Sequence, residues 1–166
     1  MYAETIAEMR KMLINLDGWM SKAEKHAETK KFDVNNYTTM RLAADMFPFT
    51  KQVQSCCDVA KFAAAYLSEK TAPVHEDTET TWTELRERVK KCVNYLEGFK
   101  SGDFAKVATI KVSPKWAEGK SIVGTEYLTE LSVPNFYFHI TTCYALLRHA
   151  GVDIGKMDYI GSINLK

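Results

Sequence analysis

Three polar side chains share one face of an otherwise apolar stretch near the C-terminus. In SVPNFYFHITTCYALLRHAGVD, residues 132–153, Asn135, His139 and Thr142 fall at i, i+4 and i+7, the spacing that stacks side chains along one helical face. His139 sits among Phe136, Tyr137, Phe138 and Ile140, so it is expected to be at least partly buried, and a buried imidazole needs a partner. Such a ring titrates near neutral pH and could act as an acid–base group or hydrogen-bond donor. Asn135 and Thr142 could orient a small molecule beside it, with Tyr137, Gln52 and Cys56 contributing according to helix rotation. Each residue also has a purely structural reading. Asn135 could satisfy a loosened carbonyl, His139 could be a core histidine with its partner, and Thr142 could bond the carbonyl four residues back.

Metal chemistry finds few ligands here. A catalytic zinc site takes three protein ligands and an open position. His139 with Asn135 or Asp45 is a weak set, suited at best to a harder ion, and no cofactor is expected. Asp45, just before Pro48, reads as a cap or as the partner of Arg41. Asp58 lies about 140° from the core residue Val53, at roughly 100° per residue, and reads as solvated. Cys56, Cys57, Cys92 and Cys143 show no CxxC spacing and read as buried thiols in a reducing compartment. Neither Cys56 nor Cys143 has a charged activator nearby in sequence, so neither is a strong nucleophile candidate. His26 and His75 read as surface residues, and His149, near the helix C-terminus, as a dipole partner or surface residue.

Four helical segments must position these groups. Ile6, Met9, Leu13, Leu16, Met20, Ala23 and Ala27 repeat every seven residues, widened by Met12 and Trp19. Phe49, Val53, Cys56, Ala60, Ala63 and Leu67 form the second stripe, opened by Pro48. Trp82, Leu85, Val89, Cys92, Leu96 and Phe99 form the third, after an acidic, threonine-capped EDTET that suits the helix dipole. The fourth runs through Leu128, Leu131, Asn135, Phe138, Thr142, Ala145 and His149 to Gly151, a left-handed cap. From Thr125 the helix carries Pro134 inside it and kinks, whereas from Ser132 the proline is a first-turn residue; the stripe through Leu128 and Leu131 favours the longer, kinked version. A short helical turn is predicted around Val34 to Leu42. VATIKV and SIV predict a small β-hairpin between helices three and four. The tail beyond Gly151 is expected to pack over the bundle by apolar residues, without regular structure.

The 166 residues, 46% apolar and 26% charged, fit one globular domain spanning 1–166, and four such stripes predict an all-α, antiparallel four-helix bundle. With 22 basic and 21 acidic residues there is no cationic excess, so nucleic acid is not an expected partner. No apolar run approaches the roughly 18 residues of a membrane span, so no membrane is expected either. MYAETIAEMRKML runs straight into helical periodicity and reads as neither signal nor transit peptide, which makes a cytoplasmic location the expectation.

RLAADMFPFTKQVQSCCDVAKFAAAYL and LSVPNFYFHITTCYALLRHAGVDIGKMDYIG, in this order of helices, resemble the DinB/YfiT-like superfamily of four-helix bundles. Within it they resemble a bacterial branch known as a domain of unknown function, whose signatures are the FP, QVQ, D.AK run and the PNFYFH, LRH.GV, GK.D run. The resemblance covers nearly the whole chain. It implies a superfamily in which thiol-dependent transferases and isomerases occur and many members hold a divalent metal through three histidines, one on helix two and an HxxxH pair on helix four. Aligning Leu147, Arg148 and Gly151 puts the pair at Asn135 and His139, so one histidine is replaced; the helix-two position falls within residues 54–57, where no histidine stands. The resemblance therefore implies the fold and an inherited pocket better than it implies metal chemistry. Three functions follow as expectations: a small-molecule or transferase-like protein using a metal-free pocket, a non-catalytic protein that dimerises with itself through the surplus aromatics Phe136, Tyr137 and Tyr144, and a metalloenzyme with an unconventional ligand set. Whether catalysis occurs is left open by the sequence.

Overall fold

The computed structural model describes residues 1–165, apart from the side chain of Lys115. Helix α1, Tyr2–Lys30, buries every residue of the first stripe and stops where Lys31 turns left-handed, its N–H closing on the Ala27 and Glu28 carbonyls. Helix α2, Phe49–Leu67, follows Pro48, whose missing N–H is harmless at a helix start. A single 3₁₀ turn, Val34–Tyr37, interrupts the connection between them. Helix α3, Trp82–Glu97, opens on a reciprocal cap: the Glu84 N–H reaches the Thr81 hydroxyl, and the Glu84 carboxylate accepts from the Thr81 N–H at 2.8 Å.

The fourth helical path has three parts. One α-turn, Gly124–Glu126, leads into a π-helical stretch, Tyr127–Ser132, and then into α4, Val133–His149. The longer, proline-containing path is thus the one adopted. Pro134 can give no N–H, and its ring crowds the carbonyl four residues back. The helix widens just upstream, where the Val133 N–H reaches back five residues to Leu128.

That widening corrects the fourth stripe. Leu128 is buried as expected, but Phe138 is 55% exposed and His149 is exposed. The core side instead runs through Ser132, Phe136, Ile140, Cys143 and Leu147, one residue later than the extrapolated stripe. A π turn adds one residue, which rotates everything after it by about 100°.

Helices α1 and α2 each pack against α3 and α4, so α1 and α2 are diagonal in a four-helix bundle. Strands β1, Lys111–Val112, and β2, Ile122–Val123, pair antiparallel with Lys111 opposite Val123, between α3 and the fourth path. They are shorter than VATIKV suggests, because residues 105–109 are occupied by turns. The tail is not wholly irregular. It forms a short helix α5, Lys156–Ile160, and docks on α1 through polar as well as apolar groups: Trp19 donates to the Asp158 carbonyl, Lys22 pairs with the Asp158 carboxylate, and the Tyr159 ring stacks on Trp19 at 5.5 Å. Among the described residues no helix is long and apolar enough to cross a membrane.

The hairpin is seated by Gly124, whose N–H donates to the Ile110 carbonyl at 2.9 Å. A Cβ there would lie 2.5 Å from the Val107 carbonyl oxygen, which is backbone and cannot swing aside. Gly124→Ala is therefore expected to lower stability by about 1–3 kcal/mol. Gly18→Ala, at an exposed position inside α1 with open space around it, should raise it by about 1 kcal/mol. Urea unfolding of both variants checks the opposed signs.

Candidate functional site

A cavity of about 640 Å³ lies between α2 and the fourth helical path, with the hairpin loop along one side. Helix α2 contributes Ser55, Asp58, Phe62 and Tyr66; the fourth path contributes Tyr127, Glu130, Ser132, Asn135 and His139; and Pro114 and the 71% exposed Trp116 come from the loop. The π turn brings Ser132 to this wall and sets the angle at which α4 presents Asn135 and His139.

His139 is 8% exposed and has a definite partner. Its Nδ1 lies 2.7 Å from Gln52 Oε1, while the Gln52 Nε2 donates to the Phe47 carbonyl at 3.2 Å. With the amide oriented by Phe47, Gln52 offers His139 an oxygen, so Nδ1 carries the ring proton and Nε2 keeps a lone pair. Among the described residues no protein group meets that Nε2, and the ring lines the cavity. Burial, and secondarily the Lys51 charge, hold the His139 pKa below its ordinary value. The ring is thus a neutral hydrogen-bond acceptor, and a base for an acidic proton delivered to Nε2.

Asn135 lines the cavity, half-buried, with its amide unclaimed by any described residue; the bond to a loosened carbonyl is not made. Thr142 does bond backward, donating to the Phe138 carbonyl at 2.7 Å, and does not line the cavity. Gln52 stands behind His139 as its orienting partner. Tyr137 lies off the cavity, its hydroxyl on the side of Glu8 and Tyr159. Cys56 is fully buried in the core, donates to the Val53 carbonyl, and has its thiol pKa pushed up by burial. Asp45 is exposed on the loop before α2, and Arg41 bonds the Met46 carbonyl rather than Asp45. Of the aromatics read as surplus, Phe136 is buried, while Tyr137 and Tyr144 are half-buried against Phe136 and Trp19.

Asp58, expected in solvent, stands instead in the cavity wall. Its Oδ1 accepts from Arg88 at 2.6 Å and pairs with Lys61 at 2.7 Å, leaving Oδ2 without a protein partner among the described residues. Arg88 and Lys61 are 1% and 2% exposed. Arg88 also lies 3.0 Å from Glu79 and 3.1 Å from Asp77, and Asp77 pairs with Lys51 at 2.5 Å. His75, half-buried rather than on the surface, is 3.3 Å from Lys61. His26 is also half-buried and is 2.6 Å from the Tyr37 hydroxyl. The charges are shared between α2, α3 and the segment 70–80, which they hold against the bundle. Two further groups complete the wall. Ser132 Oγ is fully buried and has no hydrogen-bond partner, and the Tyr127 phenol, its pKa pushed up to about 12 chiefly by burial, stays protonated.

The chain matches the family described as "Domain of unknown function (DUF1993)" over residues 1–160. Among solved structures it is similar to a DinB family member protein from Shewanella denitrificans, with 47% identity and a TM-score of 0.94 over 99% of this chain and 94% of that one. No curated protein matches it significantly. The chain belongs to the DUF1993 family and has the DinB-like bundle.

The three-histidine metal arrangement implied by the wider superfamily does not fit these residues. In the helix-two window only Ser55 reaches the cavity, since Gln54 donates to Glu79 and Cys56 and Cys57 are in the core. Asp58 already carries two cations. Among the described residues no three His, Cys, Asp or Glu side chains group closely enough to hold an ion.

His139 is expected to titrate below 6.5 and to remain the Nδ1–H tautomer above that pH. Because its folded pKa is depressed, the unfolded chain takes up a proton first as pH falls below 6.5, so this residue contributes a loss of stability on acidification and none above. Long-range ¹H–¹⁵N correlation of the ring checks the tautomer, and Gln52→Ala should abolish the single-tautomer pattern.

Proposed function

We propose that this DUF1993 family member binds a small organic molecule in the metal-free cavity between α2 and α4, with His139 as its central polar contact. One observation carries the reading. Along the lining, His139 Nε2, Asp58 Oδ2, Ser132 Oγ and the Asn135 amide have no hydrogen-bond partner among the described residues. Of these only Ser132 Oγ is wholly buried; His139 Nε2 and Asp58 Oδ2 are unpaired groups in the lining of a cavity of ligand-accommodating size, suited to meeting a bound molecule. The aromatic lining, Phe62, Tyr66, Tyr127 and Trp116, supplies the apolar contact such a ligand needs.

Within this reading Gln52 is a positioning residue that fixes the His139 tautomer, and Asn135 and Ser55 orient the ligand from opposite walls. Thr142, Tyr137 and Cys56 shape the surrounding helices without touching it.

The test is a screen of small aromatic and cyclic aliphatic fragments by ¹H–¹⁵N correlation spectra. Shifts are expected to cluster on Ser55, Phe62, Tyr127, Asn135 and His139. Ser55→Phe, which fills the cavity from a half-buried position, should leave the fold intact and remove those shifts. Shifts scattered over the surface, or a Ser55→Phe variant that binds as before, would overturn the proposal.

A further inference from the structure

The polar wall of the cavity is lopsided. His139 presents a lone pair at Nε2, because its one proton is committed to Gln52. Asp58 presents Oδ2, and Glu130 brings a second carboxylate to the same lining from an exposed position. Ser132 belongs to the same lining, but its Oγ is wholly buried and has no hydrogen-bond partner. Against these acceptors no lysine or arginine side chain lines the cavity among the described residues. The cations on the Asp58 wall, Lys61 and Arg88, are both engaged at Asp58 Oδ1, and Lys51, whose charge bears on His139, is paired with Asp77.

Charge counting points the same way. Asp58, Asp77 and Glu79 are balanced by Lys51, Lys61 and Arg88, which leaves the Glu130 carboxylate uncompensated among the described residues. The apolar wall is built of π faces. Phe62 and Tyr66 stack at 5.4 Å, Tyr127 meets Tyr66 edge-on at 5.9 Å, and Trp116 stands at the rim. Phe62 already takes a cation on its ring, with the Lys61 ammonium 4.4 Å from the centroid.

A ligand for this wall must donate several hydrogen bonds, accept few, carry positive charge and cover aromatic surface. From the juxtaposition of His139 Nε2, Asp58 Oδ2 and Glu130 with the Phe62–Tyr66–Tyr127 wall, we infer that the cavity takes a primary organic ammonium carrying an aromatic or branched apolar body. This rests on the cavity being a small-molecule site, as proposed above. An ammonium has three N–H donors and no acceptor, and a charged donor on a carboxylate is about twice as strong as a neutral pair. A carboxylate ligand would set like charge against Glu130, and a neutral alcohol would offer one donor where three acceptors wait.

Three probes of one shape separate these cases at pH 7: 2-phenylethylamine, 2-phenylethanol and phenylacetate, titrated into the full chain by calorimetry with the His139 and Asn135 resonances as the record of where they bind. The amine is expected to bind about ten-fold or more tighter than the alcohol, with phenylacetate weakest. Glu130→Gln, a change at an exposed position that leaves the fold intact, should narrow the amine–alcohol gap about three-fold or more. Asp58→Asn should narrow it further if the variant folds. Equal binding of amine and alcohol in the cavity, or preference for phenylacetate, overturns the ammonium inference and leaves the cavity reading standing. If none of the three moves His139 or Asn135, both fall.

Discussion

Pro134 has no N–H to give, and the way its helix absorbs that shortage sets the geometry of everything around the cavity. The widened stretch Tyr127–Ser132 adds one residue to the path and turns α4 by about 100° relative to an uninterrupted helix. Through that rotation Phe136, Ile140, Cys143 and Leu147 become the core side, and Ser132, Asn135 and His139 become one wall of a cavity. Without it, the same sequence would bury the half-exposed Phe138 and carry His139 away from Gln52. A local backbone irregularity and a polar site on a helix are here the same feature.

Stability and site chemistry also share residues on the opposite wall. Lys61 and Arg88 are cations taken almost wholly out of water, a costly arrangement that is tolerable only with close countercharges. Asp58, a lining residue of the cavity, supplies one of them with a single oxygen, and its other oxygen has no hydrogen-bond partner among the described residues. The segment 70–80, which has no regular structure of its own, is held down because Asp77 and Glu79 complete the set. An acidic wall group fixed in this way is pre-oriented, since its carboxylate cannot rotate without breaking two ion pairs.

The legible parts of the sequence were those where an unbroken seven-residue repeat meets a uniform core. Every stripe residue predicted on α1 and α2 is buried, as are those of α3 up to Leu96. The fourth stripe failed at Pro134, where the sequence shows that something must give but not that one residue is added. Asp58 was misplaced because a single core direction was assumed for α2, whereas that helix packs against α3, α4 and the segment 70–80. Lys61 and Arg88 left only faint traces: a lysine in the small-residue run AKFAAA, and an arginine beside the third stripe. The acidic EDTET ahead of α3 reads naturally as dipole charge. Glu84 does cap the helix, but Asp77 and Glu79 are turned instead to Arg88. His139 and Asn135 are legible from their spacing alone; that only the histidine has a protein partner depends on how α2 packs against α4.

The central claim is that His139 Nε2 faces an organic ligand site and not a metal. The most direct measurement is a titration of chelator-treated, untagged protein with zinc, followed at the His139 ring nitrogens by ¹H–¹⁵N correlation, with His139→Ala as control. The account predicts that Nε2 does not move at one equivalent and that any zinc taken up is the same in the variant. A saturating Nε2 shift at one equivalent, lost with His139→Ala, would contradict it.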